Sequence, residues 1–166
     1  MTGEFERLIV PPGRDETPEG LGTVRFLVTC PGNALQVLAT AKAALATALK
    51  LSESGIFDVD IWKRELPREF VLNSGVHPTL QELEHLMNRP LEQRVKDQED
   101  RRWSVEMFMN AFSPELNMRH WKWWDAQVLD ENRIAVAVEV FEWPFPWQSL
   151  RWLFIGSGAI DVVPEQ

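Results

Sequence analysis

Tyrosine is absent from this 166-residue chain, cysteine occurs once and histidine three times. The lone cysteine, Cys30, excludes an intrachain disulfide, so stability has to come from burial, which a chain of this length can supply without covalent or metal staples. His77, His85 and His120 stand at unrelated spacings and form no zinc-ligand pattern. Consecutive apolar residues never approach the roughly 20 that cross a bilayer. The charged start from Met1 to Arg7 passes through Leu8-Ile9-Val10 into Pro11-Pro12, which does not read as a secretory signal. From these absences we expect a cytoplasmic protein with no membrane partner. Positive charge is scarce as well: 17 Lys and Arg against 25 Asp and Glu give a net charge of −8. Contacts that release counterions from nucleic acid or anionic lipid need the opposite sign, so neither is an expected partner, whereas a basic protein is.

What is present is the composition of a packed domain, 45% hydrophobic and 25% charged, unlike that of disordered chains. Eight Trp and nine Phe supply the rings, and six of the tryptophans fall between Trp121 and Trp152. A Trp fills a core well if its N–H finds an acceptor, and it is also enriched at binding hot spots.

Residues 5–10 and 23–30 read as strands, rich in β-branched and aromatic side chains. Between them, residues 11–22 combine Pro11, Pro12 and Pro18 with Asp15, Glu16 and Glu19, which predicts an exposed, flexible acidic loop. Asn33 is placed to cap an Ala-rich helix over 34–54, with Leu35, Leu38, Leu45 and Leu49 marking one face and Gly55 ending it. Alternation of Phe57, Val59 and Ile61 with Asp58 and Asp60 predicts a half-buried strand over 56–62, and 69–72 a short partner strand. Thr79-Leu80-Gln81-Glu82 forms a capping box that opens a second helix, broken at Pro90 and continuing as solvated turns, so helix covers the stretch near 79–100. Residues 103–109 alternate as a strand would, with a helix through Phe112 as the alternative. The last third reads as an antiparallel meander, 119–129 and 133–143 flanking Asp130-Glu131-Asn132, with 134–140 apolar on both faces and therefore central. A short apolar helix over 147–155 then ends at Gly156-Ser157-Gly158, and 160–163 adds an edge strand. The expected fold class is α+β, a single domain over 1–166 with a predominantly antiparallel sheet.

Few residues carry a chemical signal. Cys30 ends a strand just before a helix, where the helix dipole favours a thiolate. No phosphatase or protease context surrounds it, and a lone cysteine there is otherwise a small buried hydrophobe. Asp58 and Asp60 are suitable ligands for a divalent cation, yet the wet face of a strand accounts for both without an ion. Glu82-x-x-His85 has di-metal spacing but lacks its required second copy. Neither a metal nor a cofactor is therefore expected. Gly156-Ser157-Gly158 follows a helix instead of opening one, so it is no phosphate cradle. Glu139, between Val138 and Val140 on the central strand, needs a partner, and Lys122 or His120 across the hairpin is the expected one; read functionally, it is a pocket acid. The tryptophans either fill a core closed by the C-terminal helix or form a partly exposed patch, since alternation sends Trp123 and Trp124 to opposite faces.

With no catalytic constellation, the sequence points to a non-enzymatic protein-binding domain. Its expected contacts with a basic partner are Asp15, Glu16, Glu19, Asp130 and Glu131, with Trp124 and Trp147 as aromatic anchors. In size and charge profile such a chain is similar to the bacterial immunity and inhibitor proteins that block cationic toxins. The alternative is a small enzyme or small-molecule-binding domain with a Trp-lined pocket that draws on Cys30, His120 or Glu139.

Overall fold

The computed structural model describes residues 3–100 and 102–165. In chain order their elements are α1 (Glu4–Arg7), β1 (Gly22–Thr29), α2 (Ala34–Glu53), α3 (Val59–Glu65), α4 (Arg68–Asn73), α5 (Leu80–Met87), α6 (Leu91–Asp100), α7 (Val105–Ala111), β2 (Trp121–Asp130), β3 (Arg133–Val140), α8 (Gln148–Ile155) and β4 (Asp161–Pro164). The strands form one antiparallel sheet in the order β2-β3-β1-β4, and the fold is α+β as expected. Asp130 closes the central hairpin: its Oδ1 accepts the Asn132 N–H and its Oδ2 the Arg133 Nε–H, both at 2.8 Å. Register places Trp123 and Val24 on either side of Val138, and Val128 and Val28 on either side of Ile134. One face of the sheet is therefore almost wholly apolar, because side chains two apart share a face.

α2 packs against that face through Val37, Leu38, Ala41, Ala44, Leu45, Ala48 and Leu49, at helical spacing. Small alanines let the helix approach the strands closely. Leu35 is instead 75% exposed, so it does not belong to this face. α2 is long and apolar enough to cross a membrane by length and composition alone, and half of its apolar window is buried inside the fold. Asn33 occupies the N-cap position without a side-chain hydrogen bond, and Gly55 takes the positive φ of 71° that follows the helix end. α8 completes the core, with Phe154 stacked on Trp123 at 6.1 Å.

Four stretches expected as strands are helical. Residues 5–7 belong to α1, whose Glu4 and Arg7 are drawn into ion pairs with Arg119, just before β2, and Glu139 of β3, and residues 8–10 turn away from it. Residues 56–62 enter α3 because Asp58 is its N-cap, with Oδ1 accepting the Asp60 and Ile61 N–H groups. The two aspartates are thus a helix start and not the wet face of a strand. Residues 69–72 lie in α4, which buries Phe70 against Phe108 at 4.8 Å. Residues 103–109 take the helical alternative, since Ser104 caps α7 by accepting the Met107 N–H and Val105, Phe108 and Met109 share its buried side. The C-terminal meander also shrinks to a hairpin, because β3 finds its second neighbour in β1, from the other end of the chain. Thr79 is the N-cap of α5 as expected, its Oγ1 accepting the Glu82 N–H at 3.2 Å, the first half of the capping box.

Candidate functional site

Glu139 points to the sheet face opposite the core, yet it is 2% exposed because α1 and the 11–22 loop cover it. Its partner is neither Lys122 nor His120. Arg7 Nη1 lies 3.6 Å from Glu139 Oε1, and Glu139 Oε2 accepts the Glu19 N–H. Lys122 sits opposite Glu139 in the register, but its Nζ lies over the Phe141 ring at 5.4 Å, and His120 Nδ1 meets Glu142 Oε1 at 2.8 Å. A cation from a remote turn wins because a buried carboxylate needs a partner that is itself withdrawn from water; Arg7 is 6% exposed.

The same guanidinium organises the loop. Arg7 Nη2 reaches Glu16 Oε1 at 3.5 Å, Glu16 Oε2 accepts the Gly13 N–H at 3.2 Å, and Arg7 Cζ lies 4.4 Å over the Trp124 ring. α1 is fixed in turn by Glu4, which forms two hydrogen bonds with Arg119 at 2.7 and 2.9 Å and accepts the Trp123 N–H at 2.7 Å. The 11–22 loop is thus tied down at Glu16 and Glu19, and Leu21 N–H joins it to Val140 O at 2.9 Å. Gly20 is required at this approach, since a Cβ there would run into the Val140 carbonyl oxygen.

Anchoring produces a rim at this end of the sheet. Asp15 and Glu19 are exposed on the loop, and Leu21, Phe141 and Trp143 stand uncovered beside it, Trp143 by 64%. Trp143 rests on Phe145 at 5.9 Å, and Phe145 meets Phe26 edge-on at 6.2 Å, so the exposed ring has a core foundation. Of the expected anchors, Trp124 is half-buried beneath Arg7, and Trp147 packs on Phe26 at 5.2 Å. Sequence reasoning did not single out Trp143 as an anchor; its position between Glu142 and Pro144, just beyond a strand end, was the available signal.

Asp130 and Glu131 do not join the rim. They occupy the far turn, seven strand steps away, about 24 Å at strand rise. There, hydrogen bonds from Arg133 and the Asn132 N–H hold the Asp130 carboxyl below the usual range. Cys30 is also at that end, its N–H donating to Asn132 O at 2.7 Å, and burial pushes its thiol up. Cys30 and Glu139 therefore do not converge on one pocket.

Two concavities lie elsewhere. A cavity of about 300 Å³ places His77 between Ser104 Oγ, 2.8 Å from Nδ1, and Glu106 Oε2, 3.5 Å from Nε2, with Lys63 in the wall. Sequence reasoning missed this Ser–His–Glu chain, whose only local signal is Ser104-x-Glu106. Ser104 is 3% exposed and its hydroxyl is engaged in the α7 cap, so the contacts hold the segment around Gly75 onto α7. The second, a groove of about 310 Å³, is bounded by Leu83, Trp103, Met107, Met118, Pro146 and the α8 start. Its lining is mainly apolar, and the Ser149 hydroxyl there already accepts the Trp121 indole N–H at 2.8 Å. Among the described residues, no group of three or more His, Cys, Asp or Glu is arranged to hold a metal ion. The chain matches no family model, no curated protein and no solved structure.

Proposed function

We propose that this chain is a non-enzymatic protein-binding domain of immunity or inhibitor type that neutralises a basic protein in the cytoplasm. The observation that supports it is the anchored acidic loop, held by Arg7 and Glu139 beside the uncovered Leu21, Phe141 and Trp143. Exposed carboxylates around an aromatic centre suit an encounter steered by charge and completed by a desolvated ring. A loop already ordered loses less conformational freedom when the partner arrives. In this reading Trp143 is the aromatic anchor, and Trp147 and Trp124 support the fold beneath it. The enzyme alternative is the weaker one, since its three residues are divided between opposite ends of the sheet or already paired.

The test begins with affinity capture of the partner from the native host. Replacing Asp15 with Asn and Glu19 with Gln should slow association and flatten its salt dependence, because such charges are screened over about 8 Å at physiological ionic strength. Trp143→Ala should instead speed dissociation and cost about 2 kcal/mol or more of affinity. Association that ignores salt, together with a silent Trp143→Ala, would remove the basis of the proposal.

A further inference from the structure

Two arginines withdrawn from solvent are held in the same way in this fold. Arg7 lies 4.4 Å over the Trp124 ring and pairs with Glu139 and Glu16. Arg119 lies 4.9 Å over Phe112 and 5.1 Å over Trp121, and pairs with Glu4 at 2.7 Å. In each case a flat guanidinium faces an aromatic ring while its N–H groups meet a carboxylate.

The rim has a ring and carboxylates of the same kind, but no guanidinium. Phe141 is 45% exposed, and its ring lies so near the loop that a Cβ on Gly20 would come within 2.9 Å of Phe141 Cδ1. Glu19 precedes that glycine, and the exposed carboxylates of Glu19 and Asp15 form no ion pair among the described residues. The cation that does reach the ring belongs to this chain. Lys122, opposite Glu139 on β2, reaches diagonally and places its Nζ 5.4 Å from the Phe141 centroid. That is longer than any of the arginine–ring distances, and Lys122 forms no ion pair among the described residues. Phe141 is thus a cation site filled loosely from within. An incoming lysine would exchange like for like. A guanidinium is less strongly hydrated than an ammonium, stacks flat on a ring and gives paired N–H bonds to a carboxylate, so it is the cation that displaces Lys122.

Granted the reading of the rim as the surface that takes a basic protein, we infer that Phe141 is its arginine-recognition point. The partner lays an arginine side chain on this ring, within reach of the loop carboxylates, and Lys122 holds the place until then. The probes are N-acetyl-arginine amide and N-acetyl-lysine amide, titrated into the intact protein and followed by NMR at the Gly20 amide and the Phe141 ring. The arginine probe should bind about threefold tighter than the lysine probe, and Phe141→Leu should abolish the difference. Lys122→Gln should tighten the arginine probe by about threefold again. Arg133→Gln removes the same charge at the far turn of the sheet and should leave both probes unchanged. Equal affinity for the two probes overturns the inference. So does an arginine affinity that Lys122→Gln raises no more than Arg133→Gln does. If arginine shows no preference while a captured partner keeps its salt-steered association, the inference falls and the reading of the rim stands. If arginine is preferred while a captured partner is indifferent to Asp15 and Glu19, the reading of the rim falls and the arginine site stands.

Discussion

At the end of the sheet, the acidic loop is tied down by a carboxylate and a guanidinium almost wholly withdrawn from solvent; on α5, Leu83 and Leu86 are half-buried and no side chain is fully buried. Both surfaces present apolar groups to solvent, but only the first is an extension of the core. Glu139 reaches back to β3, Arg7 to α1, and Trp143 through Phe145 to Phe26. Substitutions beneath the rim must therefore act on stability as well as on binding. Those at the exposed positions of α5 disturb no fully buried side chain of that helix. The difference teaches that an exposed patch is interpretable only with its foundation, since a ring fixed from below is preorganised for contact.

The largest expected contrast compares the two surfaces directly. Glu139→Ala leaves the buried Arg7 with only the more exposed Glu16 carboxylate and the Glu19 N–H without its acceptor, and should lower the unfolding free energy by about 3 kcal/mol, opening residues 11–22 to protease. Leu80→Asp, in contrast, should stay within about 0.5 kcal/mol, since Leu80 is 81% exposed. Urea denaturation measures both, and equal losses would mean that the ion pair is no staple. A smaller contrast lies within the core. Trp121 donates its indole N–H to buried Ser149, whereas the buried Trp152 Nε1 has no partner within hydrogen-bond distance among the described residues. Trp121→Phe strands the serine and should cost about 1–3 kcal/mol, and Trp152→Phe measurably less, since no acceptor is stranded. Reversal of that order would show that ring size governs both sites.

The smallest effect concerns the exposed counterpart of the Glu139 pair, Asp130 with Arg133 at 2.7 Å. The Asp130 carboxyl is lowered first by its hydrogen bond from Arg133 and then by the Asn132 N–H. Its folded pKa lies below the unfolded one, so the contribution to stability is present above the unfolded pKa and fades as pH falls through the folded value. Carboxyl NMR should find the midpoint depressed, and Arg133→Gln should bring it back toward the ordinary range. An unchanged midpoint in that variant would assign the shift to the turn backbone.

Legibility followed the range of the signals. The Asp130 turn, the Thr79 N-cap, the alanines of α2 and the double-sided apolar run of β3 complete themselves within a few residues, and the structure has each of them. α3, α4 and α7 are six or seven residues long, and in so short a window alternating apolar residues such as Phe57, Val59 and Ile61 suit strand and helix alike. The caps Asp58 and Ser104 decided in favour of helix once Phe70, Phe108 and Trp62 had a core to fill. By itself, the sequence determined the acidic balance, the Trp and Phe rings and the α+β class, because composition and local periodicity carry them. Only the tertiary structure decided that Arg7 would answer Glu139 from 132 positions away, that Trp147 would be sheltered while Trp143 stayed exposed, and that α5 would be left uncovered. Partner choice for a buried charge depends on which cation reaches it dry, and exposure of a ring on what packs beside it; neither is written in a residue's neighbours along the chain.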